Sequence, residues 1–310
     1  MIARFIQYLE VERRYSPLTI RNYRRDVEQF ALYVAPSIEE FDPSTVTLQQ
    51  LREWIISRSE SGRVKSSSLN REISSIKSLF RWAQSQGLTT TNPLNGLRAL
   101  KTEHVLPTFI AKSRMNTLLE ECADSSDSDN FTTVRNALII KFFYSTGLRL
   151  SELASLNSES FNHDYSTLKV VGKGNKERIV PIVESLSLQI KSYINKFLPQ
   201  FICTSHFFPL FLSSKGSQLS TNMIYRIVRK ELEKGGVEGK KSPHVLRHTF
   251  ATHLLSSGAD MREIEELLGH SSLQATQIYT HSSIDHLQAS YKNSHPRGRD
   301  KRTREDKSRK

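Results

Sequence analysis

From Ile2 to about Arg98 the apolar residues recur at helical spacing, as in Phe5 and Leu9 and then Ile20, Tyr23, Val27, Phe30 and Tyr33. That period leaves the first third of the chain little to become except a small helical domain. Ser16 before Pro17 is a helix-start signal, and Thr47 followed by Gln50 has the spacing of a capping box. Leu69, Ile73, Ile76, Leu79, Phe80 and Ala83 continue the pattern until Gly87 and Asn92-Pro93 end it, which leaves room for about four helices.

Beyond this region the pattern changes. Residues 99–107 show little periodicity and read as a linker. The polar, acidic run ADSSDSDN at 123–130 has no apolar anchor and reads as a surface loop. Leu168, Val170 and Val171, then Ile179, Val180 and Ile182, are β-rich runs on either side of Gly172-Lys173-Gly174-Asn175, the pattern of a single hairpin. Helical spacing then returns. Ser242-Pro243 supplies an N-cap with proline at the first helical position and Gly258 a stop, while Asp260 with Glu263 and Ser271 with Gln274 repeat the capping spacing. The expected fold is therefore mainly α with a small β-sheet in the second domain.

The chain has 310 residues, enough for two domains, and 44 basic against 32 acidic side chains give a net charge of +12. Such an excess favours a polyanionic partner without telling nucleic acid from an anionic membrane. It is densest from Arg297 onward, with 8 basic and 3 acidic residues. Cys122 and Cys203 form no CxxC pair, so neither a disulfide framework nor a cysteine zinc site is expected. No apolar run approaches the roughly 20 residues of a membrane helix, and the N-terminus carries no signal pattern. A soluble, cytoplasmic chain is the expectation.

His244 and Arg247 lie three apart on one predicted helix near its positive end, a plausible seat for a phosphate. Taken alone, an ordinary polar helix face explains them equally well. Arg149 has a similar plain reading as an ion-pair partner of Glu152. Two arginines converging on one phosphate would differ, since their planar forks can hold nonbridging oxygens and stabilise charge developing in a transition state. Lys173 invites a nucleotide-loop reading, yet GKGNKER lacks the GxxxxGK[ST] spacing and precedes a strand. A hairpin-tip lysine is commonly a solvated charge, and it could also protonate a leaving oxygen. Tyr279, with a reference pKa of about 10, needs a base or cations to attack at neutral pH. His244, His270 and the arginines could supply both, although a tyrosine packing a short helix to the core is the plainer account. His244 and His248 have the spacing of HExxH without its glutamate, which argues against a zinc site.

Together TGLRLSEL, the GKGNKER hairpin, HVLRH, LLGH and the tyrosine of IYTH resemble the tyrosine recombinase (phage-integrase) family, specifically its bacterial Xer group. ERRYSPLTIRNYRRDVEQF is similar to that family's core-binding helical region, and the HPRGR ending is nearer the XerC branch than the XerD branch. The 123–130 run and the ending RDKRTREDKSRK depart from the family pattern. The resemblance implies a two-domain, C-shaped clamp. Residues 1–98 would be a SAM-like DNA-binding domain, 99–107 a linker, 108–296 the catalytic domain and 297–310 a basic, disordered tail.

The resemblance further implies a site-specific recombinase working without metal, ATP or other cofactor. Tyr279 would form a 3′-phosphotyrosyl bond. Arg149 and Arg247 would bind the nonbridging oxygens, Lys173 would protonate the 5′ oxygen, His244 would assist the tyrosine, His270 would support the phosphate, and Glu152 would hold Arg149. The implied partners are a double-stranded DNA recombination site, a second Xer-type recombinase in a heterotetramer that passes through a Holliday junction, and a septal DNA translocase. No membrane partner is implied. In that setting the role is resolution of chromosome dimers at cell division, with Ser283 to Asn293 docking on a neighbouring subunit. A noncatalytic DNA-binding protein and a type IB topoisomerase remain the alternatives.

Overall fold

The computed structural model describes residues 1–62, 64–95, 97, 99–101, 108–125, 128–172, 176–201 and 207–269. Most of the expected linker, the hairpin tip, Cys203, the Ser271–Gln274 capping pair, the segment from Ser283 to Asn293 and the tail lie outside them. Two compact units divide the chain, Met1–Val105 and Leu106–Lys310.

The first unit holds α1 (Ile2–Val11), α2 (Pro17–Val34), α3 (Leu48–Glu60) and α4 (Ser66–Ser85). Proline opens α2 with its preset φ, and Ser16 accepts a hydrogen bond from the Thr19 amide at 3.3 Å. The capping box of α3 is reciprocal, with Thr47 N–H donating to Gln50 Oε1 at 2.9 Å and Gln50 N–H to Thr47 Oγ1 at 3.2 Å. The apolar stripes meet in an aromatic core in which Phe30 lies 5.3 Å from Trp54 and Phe5 lies 5.5 Å from Trp82, centroid to centroid. Truncating any one of these buried rings to alanine would cost about 3–5 kcal/mol. Among the described residues two carboxylates are buried here and both are paired. Asp26 accepts from Arg71 and Ser75, and Glu72 receives the fork of Arg58 at 3.0 and 2.8 Å.

The second unit is built around α6 (Phe131–Thr146), which packs against α5 (Lys112–Asp124), α8 (Glu184–Phe197), α9 (Thr221–Lys234) and α10 (Pro243–Ser256). Its side chains from Ala137 to Thr146 are all buried, the mark of a helix enclosed on every side. Its end is fixed by Gly147, whose φ of 61° is left-handed and whose N–H returns to the Phe143 carbonyl. A Cβ there would lie 2.5 Å from Phe250 Cδ1 and 2.8 Å from Leu268 Cδ2, so a side chain is excluded by space as well as by backbone.

The short α7 (Leu150–Ala154) leads to strands β1 (Thr167–Val171) and β2 (Glu177–Pro181), which pair antiparallel with Leu168 opposite Val180 and Val170 opposite Arg178. The last described helix is α11 (Met261–Leu268), capped by Asp260 through the Arg262 amide at 2.7 Å and closed by left-handed Gly269. The fold is thus mainly helical with one two-stranded sheet. Among the described residues no helix is long and apolar enough to cross a membrane.

Two local expectations change. The run at 123–130 is not all loop, because α5 continues through Asp124 and Asn130 caps α6 by accepting from the Thr133 amide at 3.0 Å. Asn130 is a polar residue recruited by the orphan amides of a helix start. Ser242 precedes α10 but its side chain makes no capping bond. The hydroxyl is buried without a hydrogen-bond partner among the described residues, with the backbone fully extended at φ −160° and ψ 160°.

Candidate active site

Arg149 follows the glycine turn that ends α6 and stands at the start of α7, with Glu152 one turn on. The Arg149 N–H donates to Glu152 Oε2 and its Nη1 to Oε1, both at 2.8 Å. The plain ion-pair reading is therefore real. It does not exhaust either residue, because Glu152 is buried and also receives a second arginine.

That second arginine is Arg178 on β2, which sequence reasoning missed. Its Nη1 and Nη2 donate to the two oxygens of Glu152 at 2.9 and 2.8 Å, and its Nε donates to the Leu267 carbonyl at 2.9 Å. The signal that could have found it is strand alternation. Arg178 shares a face with Val180 and lies opposite Val170, both buried, so a charged side chain there requires a buried counterion.

Arg247 comes from α10 as its fifth residue, just past the first turn. Its Nη1 donates to the Gly147 carbonyl at 2.5 Å and its Nη2 to the Leu268 carbonyl at 2.6 Å. Arg149 Nη2 in turn donates to the Gly269 carbonyl at 2.9 Å. The consecutive carbonyls of Leu267, Leu268 and Gly269 thus each hold a different arginine, at the negative end of α11 where cations are favoured. No residue pattern foretells this arrangement, since the acceptors are backbone atoms.

Among the described residues this cluster holds three guanidinium groups and one carboxylate, which bonds to Arg149 and Arg178 but not to Arg247, an excess of two positive charges. Burial and the neighbouring charges of Arg149 and Arg178 lower the pKa of Arg247 to about 10, which leaves it protonated at neutral pH. Burial pushes Glu152 upward, yet the bonds from Arg178 and Arg149 outweigh it and hold the carboxyl near pKa 2. A guanidinium has five N–H donors. Among the described residues the bonds above occupy two on Arg149 and two on Arg247, and Arg247 forms no ion pair. Both side chains are part-exposed. Arg247, with no ion pair, and Arg149, whose carboxylate partner is shared with Arg178, make a part-exposed, donor-rich pair that suits a phosphate.

His244 is exposed on the first turn of α10, three residues before Arg247 and so on the same side of the helix. Lys173, His270 and Tyr279 lie outside the described residues. Gly172, next to Lys173, is described. A Cβ on it would stand 3.6 Å from both Arg178 Nη1 and Glu152 Oε1, so the neck of the hairpin abuts the ion pair. Among the described residues no group of three or more His, Cys, Asp or Glu side chains could hold a metal ion.

Comparison with known proteins bears on this cluster. Residues 108–286 match the phage integrase family, and residues 2–87 match the N-terminal SAM-like domain of phage integrases. The tyrosine recombinase XerC of Thermodesulfovibrio yellowstonii is 35% identical over 300 residues, covering 95% of this chain and 96% of that protein. The tyrosine recombinase XerD of Chlorobaculum tepidum is 34% identical over 294 residues, covering 95% of each. A crystal structure of the XerH site-specific recombinase bound to a palindromic difH substrate, a post-cleavage complex, superposes with a TM-score of 0.65 at 22% identity and covers 93% of this chain and 83% of that one, a likeness of fold. With the family matched over most of the second unit and full-length relatives above 30% identity, this chain belongs to the phage integrase family of tyrosine recombinases.

Proposed function

We propose that this chain is a site-specific recombinase that cuts and rejoins duplex DNA, with Arg149 and Arg247 holding the nonbridging oxygens of the scissile phosphate. The observation that carries the reading is the pair of part-exposed arginines with spare donors, in a cluster whose one carboxylate is shared by Arg149 and Arg178 and leaves a net positive charge. In the proposed step the Tyr279 oxygen attacks phosphorus, the bond to the 5′ oxygen breaks, and Lys173 protonates that oxygen as it leaves. His244 assists removal of the tyrosine proton and His270 donates to the phosphate. The energy of the broken phosphodiester is kept in the 3′-phosphotyrosyl bond, so rejoining to another strand needs no external energy source.

Residues 1–98 are proposed as a DNA-binding domain and 108–296 as the domain that carries the chemistry. The finer biological reading follows the Xer relatives. It comprises a heterotetramer with a second Xer-type recombinase, passage through a Holliday junction, activation by a septal DNA translocase and resolution of chromosome dimers in the cytoplasm.

The test is incubation of the protein and its Tyr279→Phe variant with a nicked suicide duplex carrying the host's recombination site, in the presence of the partner recombinase. A covalent adduct with the wild type alone supports the assignment. Site binding without an adduct would turn the reading to a noncatalytic DNA-binding protein. Relaxation of supercoils with no exchange between two site-bearing duplexes would turn it to a type IB topoisomerase.

A further inference from the structure

We infer that Arg178 is a positioning residue for strand cleavage: by taking the charge of Glu152 it frees Arg149 to present its own charge to the phosphate. The inference rests on the function proposed above and names a residue that acts through another.

The geometry carries it. The two oxygens of Glu152 accept four hydrogen bonds, two from Arg178 at 2.9 and 2.8 Å and two from Arg149 at 2.8 Å each. Arg178 meets Glu152 with both terminal nitrogens, the strong bidentate arrangement, whereas the Arg149 side chain gives it a single nitrogen. The exposures differ in the same sense. The Arg178 side chain is 6% accessible and that of Glu152 is 3%, but that of Arg149 is 33%. Arg178 and Glu152 therefore form a closed, neutral pair, and the open guanidinium beside them keeps a net charge.

Without Arg178 the balance changes. Glu152 would have only Arg149 as counterion, and the best bidentate geometry available to that carboxylate would draw the Arg149 fork inward. The pocket would fall from two excess positive charges to one. Arg178 also ties β2 to the Leu267 carbonyl, beside the two carbonyls that seat Arg247 and Arg149. It therefore fixes the distance from the hairpin to both phosphate-facing arginines. A purely structural ion pair would need neither the second arginine on Glu152 nor this shared carbonyl row.

The experiment compares single-turnover cleavage by the wild type, Arg178→Met and Arg178→Lys on two suicide duplexes. One carries the natural phosphodiester. In the other, a methyl group replaces one nonbridging oxygen of the scissile phosphate, which removes the negative charge the arginines face. Denaturation midpoints and DNA affinity are measured on every variant. Arg178→Lys retains the cation and most of the stem, so it serves where Arg178→Met fails to fold.

The expected result is DNA affinity close to that of the wild type with cleavage of the phosphodiester slowed about 100-fold, the scale of a misplaced reacting group. On the methylphosphonate the loss should shrink to less than about tenfold, because the charge that Arg149 serves has gone. Equal losses on both substrates, or wild-type cleavage by a folded Arg178→Met protein, would overturn the inference while leaving the proposed function intact. A wild type that binds the site and forms no adduct on either substrate would overturn both.

Discussion

Arg149 and Gly269 stand 120 residues apart in sequence, and Nη2 of the first donates to the carbonyl of the second at 2.9 Å. The aim of Arg149 thus depends on the last turn of α11, a helix to which sequence reasoning assigned no chemistry. Replacing Gly269 by alanine tests this. Its φ of 65° is left-handed, a conformation that costs an alanine about 1–2 kcal/mol. The new Cβ would lie 3.2 Å from Arg178 Cδ and Nη1, so those atoms would have to yield by a few tenths of an ångström. Gly269→Ala should lower the denaturation midpoint slightly and slow suicide-substrate cleavage about tenfold, a fraction of what a ~1 Å displacement can cost.

Gly147→Ala should do more harm to the fold. Its Cβ would collide with Phe250 and Leu268, and crowding a packed core costs about 1–3 kcal/mol before the left-handed backbone is counted. Chemical denaturation should show the catalytic unit losing more stability than in Gly269→Ala.

Arg247→Lys retains a positive charge but loses the planar fork that reaches two carbonyls while leaving donors over. Cleavage should fall about 100- to 1,000-fold, as when one preorganised donor is removed. Gel-shift affinity for the duplex should change little, since many other basic groups contribute to it. A variant that cleaves like the wild type would show that Arg247 does not face the phosphate.

Glu152 sets an acid limit on stability. Its pKa falls from 4.5 in a free chain to about 2 in the folded one. Between those values the unfolded state binds more protons, so this stabilisation is complete above about pH 4.5 and disappears as pH falls toward 2. Urea melts at stepwise lower pH should show that decline, and Glu152→Gln should flatten it in the same window at the cost of lower stability near neutrality.

Truncation after Gly298 removes seven basic and three acidic side chains. DNA affinity should weaken and its dependence on salt should flatten, because fewer phosphate counterions are displaced on binding. The rate of adduct formation from bound complex should stay the same. Identical affinities across a salt titration would rule out a DNA contact by the tail.

What could be read from the residues depended on distance along the chain. The caps at Ser16 and Thr47 join atoms three residues apart, so a short pattern was enough to foresee them. The Arg149–Glu152 pair was legible for the same reason. Arg178 was not, because its partnership with Glu152 exists only once β2 has found its register against β1. The seats of Arg149 and Arg247 are backbone carbonyls, which leave no trace in side-chain identity beyond the glycines that expose them. Ser242 shows the opposite failure. It stands at the N-cap position of α10 as its type suggested, but its buried hydroxyl makes no capping bond, and nothing in the structure explains why.

The row of carbonyls on α11 also constrains how this enzyme can change. Adjacent residues on a helix point about 100° apart around its axis, so inserting or deleting one residue within Met261–Leu268 would hand each arginine the wrong acceptor all at once. Surface positions of that helix are open to substitution, but its length is not. A chimera that borrows the helix from a relative should keep function only when the count of residues up to the closing glycine is preserved.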